Sequence, residues 1–152
     1  MLESLLGPFG ALLGKAIGRL AGQPHFKLHA SISTPPYPNR AGGYLALGLK
    51  IANVGKETAY FDRVMAVRND GTRYALLVTE LEYEAPVPAN RSVLGFIPVK
   101  PLLEPDVVDI EVFDAVERSY RLGRSHFRQI KVDLARERER LVSNGYEVDW
   151  QP

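Results

Sequence analysis

The sequence predicts a mainly β protein, a seven-stranded antiparallel sandwich of two sheets flanked by an amphipathic N-terminal helix and a charged C-terminal helix. Three observations carry this. Apolar and polar residues alternate from His25 to Ile32 and again from Leu45 to Ile51, the period of a half-buried strand. Turn-forming residues separate the β-rich runs, with Asn69-Asp70-Gly71 the strongest signal. Helical periodicity is confined to the two ends and separates no strand from the next.

Length and composition set the outer limits. A chain of 152 residues, 45% hydrophobic and 24% charged, has the size and balance of one globular domain with a real core. Nineteen basic and 18 acidic side chains leave a formal charge of +1. This is no electrostatic footprint for nucleic acid. The chain has no cysteine, which excludes a disulfide scaffold, a thiolate metal site and a cysteine nucleophile together. That absence fits a cytoplasmic protein, peripheral at a membrane if its first helix binds lipid.

The elements follow in order. Residues 1–22 read MLESLLGPFGALLGKAIGRLAG. At about 100° per residue, Leu5, Leu6, Phe9, Leu12, Leu13, Ile17 and Leu20 fall within one arc of roughly 140°. Glu3, Gly7, Gly10, Gly14, Lys15, Gly18 and Arg19 occupy the other side. Each mid-helix glycine costs about 0.8–1 kcal/mol against alanine, so the segment needs a cover for its stripe. The protein's own body or a sister subunit is one such cover. A membrane surface is a second, with Lys15 and Arg19 near the head groups. Close helix–helix packing through Gly10, Gly14 and Gly18 is a third. Glu3, Lys15 and Arg19 make it a poor signal peptide, so it is expected in the mature chain.

The β body spans residues 24–123. Phe26, Leu28, Ala30 and Ile32 face one side of the first strand. TPPYPNRAGG then forms a surface loop, with Tyr37, Arg40 and Tyr44 as candidate partner contacts. Leu45, Leu47, Leu49 and Ile51 face inward on the second strand, which Asn53-Val-Gly55 closes. Phe61 and Val64 cannot both face inward on a regular strand, so a bulge is expected near Asp62–Arg63. A proline-marked loop precedes a strand at about 92–97. VVDIEVFDAVERSYRL makes the last hairpin, with Val108, Ile110 and Val112 facing Tyr120 and Leu122. The run IANVGKETAYFDRVMAV resembles the second and third strands of bacterial immunoglobulin-like domains, and FDAVERSYRL resembles their closing hairpin. This likeness implies a binding or structural module and transfers no active-site residues.

From Ser125, a candidate N-cap, to Gly145, a candidate stop, helical spacing returns over 125–144. Phe127, Ile130, Leu134 and Leu141 form a narrow stripe beside the solvated charges of RERER, and residues 145–152 form a tail. The chemistry-bearing residues do not converge. His25 and His29 share a strand face but lie about 13 Å apart by strand rise, too far to chelate one metal ion. Asp114 and Glu117 belong to a hairpin turn, where aspartate commonly accepts bonds from nearby amides. No nucleophile or phosphate-binding motif stands out, so no catalytic, cofactor or metal residue is assigned and no small-molecule substrate is evident.

The expectation is therefore a non-enzymatic interaction or assembly module. It would form a homo-oligomer, or bind a protein partner or membrane surface, through the N-terminal helix. Two alternatives remain: a membrane-active protein whose first helix perturbs lipid, and a structural component of a virion or secretion apparatus.

Overall fold

The computed structural model describes residues 24–38 and 45–150. The predicted N-terminal helix therefore lies outside the described residues. Within them the chain is mainly β, with two antiparallel sheets and one C-terminal helix. The first sheet joins β1 (Phe26–Ser33), β2 (Ala46–Asn53) and β6 (Ser92–Pro98) in the order β1-β2-β6. The second joins β3 (Ala59–Arg68), β4 (Arg73–Leu76), β7 (Val107–Asp114) and β8 (Ser119–Arg121) in the order β4-β3-β7-β8. A two-residue strand, β5 (Pro86–Val87), pairs with the start of β3.

Alternation does what the sequence predicts on β1; on β2 the inward residues are buried as expected, but Ala46 and Gly48 on the other face are buried too. Phe26 and Ala30 are buried, Leu28 and Ile32 pack partly against the core, and His25, Lys27, His29 and Ser31 are exposed. Leu47, Leu49 and Ile51 are fully buried opposite them. The expected bulge is present: the β3–β7 register shifts between Phe61 and Arg63. The extra residue turns both Phe61 and Val64 into the core. In the β3–β4 hairpin, Gly71 adopts φ +83° and its amide donates to Arg68 O at 2.9 Å.

Three expectations need correction. Eight strands are described rather than seven, because the proline-marked loop includes β5. Val87 is wholly buried, and Pro86 takes an edge position, where its missing N–H is tolerated. A second register shift, between Val67 and Arg68, brings Val107 into the core and leaves Val108 only half-buried. The C-terminal helix, α1 (Arg124–Ser143), is capped at Gly123 and not at Ser125. Gly123 sits at φ +110°, a conformation glycine reaches without Cβ strain. Its amide donates to Asp109 Oδ1 at 2.9 Å.

The stop at Gly145 holds. With φ +83°, Gly145 donates to Val142 O at 3.1 Å and Tyr146 donates to Leu141 O at 3.0 Å, the two bonds of a Schellman motif. The first three residues of the stripe on α1 are covered by the sandwich itself, while Leu141 is only half-buried. Phe127, Ile130 and Leu134 are buried in the same core as the strands, each contributing about 1.5–3 kcal/mol. Lys131 Nζ fastens the helix by donating to Val107 O at 2.7 Å and Glu104 O at 3.0 Å, and burial pushes its pKa down. Beyond the helix the chain folds back: Arg138 Nε donates to Trp150 O at 2.7 Å, and the indole packs against the core.

Candidate interaction face

The residues predicted for attachment, Leu5, Leu6, Phe9, Leu12, Leu13, Ile17 and Leu20, lie outside the described residues. So do Gly10, Gly14 and Gly18 and two of the loop candidates, Arg40 and Tyr44. Tyr37 is described and is 54% exposed after β1.

The described chain starts at Pro24, at one end of the sandwich. Tyr120 lies against this end, its hydroxyl 3.3 Å from both Pro24 O and Asp114 Oδ2 and its ring against Phe26 and His25. Burial, with the nearby Asp114 charge, raises the Tyr120 pKa. Asn53 ties the surrounding loops together. Its Oδ1 accepts from Gly55 N and His25 N, and its Nδ2 donates to Glu57 O and Val87 O. Around this end three apolar side chains face solvent: Val54, Tyr60 and Val116, at 54%, 48% and 66% exposure. Val54 N bonds His25 O and Ala115 N bonds Tyr60 O, each at 2.9 Å, so these exposed groups belong to the same end as Pro24.

The outer face of the second sheet carries a charged cluster that sequence reading missed. Glu111 is buried on this face, and its Oε2 receives Arg73 Nε at 2.9 Å and Arg121 Nε at 3.3 Å. Arg121 is its direct cross-strand partner. Arg73 comes from β4, so its side chain must cross β3 to reach β7, and its aliphatic stem shields that strand. Nearby, Arg63 bridges Asp62 and Glu117 with its guanidinium 4.2 Å from the Phe113 ring centroid. The signal available in the sequence was parity. Asp109 and Glu111 alternate with Ile110 and Val112, but parity names no partner for either acid.

Asp114 behaves as the turn reading expects, with Oδ1 accepting from Val116 N and Arg118 N. The His29 and His126 rings come within 5.7 Å across β1 and α1, and His126 Nε2 lies 3.2 Å from Ala30 O. Among the described residues no group of three or more potential ligands could hold a metal ion. Nor is any described helix long and apolar enough to cross a membrane.

No family model matches this chain, and no curated protein matches it. Among solved structures, the X-ray structure of Northeast Structural Genomics Consortium target SoR45 aligns at 10% identity, covering 65% of this chain and 78% of that one, with a TM-score of 0.27. A likeness that low bears on neither fold nor role.

Proposed function

We propose that this chain is a non-enzymatic interaction and assembly module on an immunoglobulin-like sandwich, attached to a second copy through its N-terminal stripe. The observation that carries the reading is the set of exposed apolar groups Val54, Tyr60 and Val116 around Pro24. Residues 1–22 precede Pro24 in the chain, so a contact made through their apolar side chains at that end would remove these groups from water as well. Strand order supports the immunoglobulin-like part. The chain lays β1 and β2 in one sheet, crosses to β3 and β4, returns for β6 and crosses again for β7 and β8, the sheet-switching of a Greek-key sandwich.

The test is light-scattering mass and liposome flotation on the full chain and on Leu13→Asp/Ile17→Asp. An oligomer that shrinks in the variant supports attachment to a second copy. Flotation of the full chain alone moves the attachment to lipid. A full chain that neither assembles nor floats, or assembles as well with the charged stripe, removes the reading.

A further inference from the structure

We propose that the acidic turn Glu82-Tyr83-Glu84 of one copy of this chain docks on the Arg73–Arg121 pair of a second copy, a head-to-tail contact between two different patches. The inference rests on the assembly reading but uses a different surface from the N-terminal stripe.

The receiving patch has an unbalanced charge. Arg73 donates its Nε to Glu111 Oε2, and Arg121 forms an ion pair with the same oxygen through its Nε at 3.3 Å. The two Nε atoms are therefore at most about 6 Å apart, and the guanidinium groups repel each other. One carboxylate neutralises one of the two charges. Among the described residues their Nη nitrogens meet no acceptor, and both side chains remain about two-fifths exposed, at 41% and 42%. Neighbouring charges do not supply the missing anion. Arg63 takes Asp62 and Glu117, Arg68 takes Asp106, and Asp109 is buried against the amides of Ile110 and Gly123. A second carboxylate lying across the two guanidinium groups would relieve the repulsion, with the planar fork of each arginine available for paired bonds.

The chain itself carries a matching group. From Leu77 to Ala85 the loop reads LVTELEYEA, with three glutamates and no basic residue. Tyr83 stands 67% exposed between Glu82 and Glu84, both also exposed. This turn is not a loose tip. Glu84 N donates to Phe61 O at 2.8 Å, Phe61 N to Ala85 O at 2.9 Å, and Ala85 N to Glu82 O at 3.1 Å. Glu84 is held at φ +62°, a left-handed conformation that strains a residue with a Cβ. A rigid aromatic flanked by acids loses little entropy on docking. The exposed Leu77, the residue that follows the strand carrying Arg73, offers the ring apolar surface. Because turn and arginine pair are different patches, the contact is heterologous and can propagate from copy to copy. The formal net charge of +1 gives no bulk repulsion against it.

The experiment is sedimentation of full-length Leu13→Asp/Ile17→Asp over a concentration series, at about 0.05 M and about 0.5 M salt. Two further variants are built on that background: Glu82→Gln/Tyr83→Ser/Glu84→Gln and Arg73→Gln/Arg121→Gln. The expected result is self-association that weakens with salt and falls at least about tenfold in either variant. An equimolar mixture of the two variants, which contains one intact turn and one intact arginine pair per couple, should give heterodimers and nothing larger. Association indifferent to the turn variant overturns the inference, and because those three side chains are exposed, this arm does not depend on the arginine variant folding. A parent that is monomeric throughout also overturns it and leaves the N-terminal reading standing. Stripe-dependent assembly and turn-dependent assembly are thus read separately.

Discussion

The Asn53 side-chain amide donates to the carbonyl of Val87 at 2.9 Å, joining the end of β2 to the strand that opens 33 positions later. The same side chain holds Glu57 O, Gly55 N and His25 N, so one buried residue ties three segments around the end where Pro24 lies. Replacing it leaves backbone groups from all three without their partner.

Asn53→Ala is therefore expected to cost about 2–4 kcal/mol in urea unfolding. Asn53→Asp should cost at least as much, since a carboxylate facing Val87 O and Glu57 O cannot donate to them when ionised. A change below about 0.5 kcal/mol for the alanine variant would show that water replaces these bonds.

Gly123 and Ser125 separate two accounts of how α1 begins. Gly123→Ala forces a Cβ onto φ +110° and is expected to destabilise by about 1–3 kcal/mol. Ser125 makes no capping bond, so Ser125→Ala should fall within about 0.5 kcal/mol of the parent. Thermal unfolding of the two variants side by side checks the order, and a larger loss at Ser125 would restore it as the cap.

Glu111→Gln removes the carboxylate shared by Arg73 and Arg121. The two guanidinium groups are solvated enough to turn outward, so the expected loss is about 1–3 kcal/mol and not the larger loss of a sealed pair. The loss should shrink at high salt, which screens the repulsion left behind. Equal loss at all salt concentrations would point to packing over β3.

Tyr120 sets an alkaline limit. Its folded pKa is raised above the ordinary value of 10.0, so the neutral phenol is favoured in the fold. The stability this contributes is whole below the unfolded pKa and is lost as pH rises through the raised folded value. Tyr120→Phe should lose about 0.5–1.5 kcal/mol at neutral pH and lose less than the parent between pH 9 and 11, roughly the span around the ordinary tyrosine value. Denaturant midpoints across that span test it, and parallel curves for parent and variant would contradict it.

Local chemistry by itself determined seven of the eight strands, the Asn69–Gly71 turn, the bulge near Asp62–Arg63 and the helix stop at Gly145; β5 escaped it because its pairing partner on β3 is remote in sequence. Each feature it determined depends on neighbours a few residues away: side-chain period, positive φ and the last free carbonyls of a helix. It also marked Asn53 as a turn residue, but not as a buried one, because Val87 and His25 are remote in sequence. The fate of the acids on β7 was decided only by tertiary structure. Asp109 and Glu111 share an outward phase that usually means solvent. Gly123 N lies 14 positions from Asp109, and Arg73 lies 38 from Glu111. A carboxylate becomes a buried hub only where distant donors arrive together, and the sheet order β4-β3-β7-β8 brings Arg73 and Arg121 onto one oxygen.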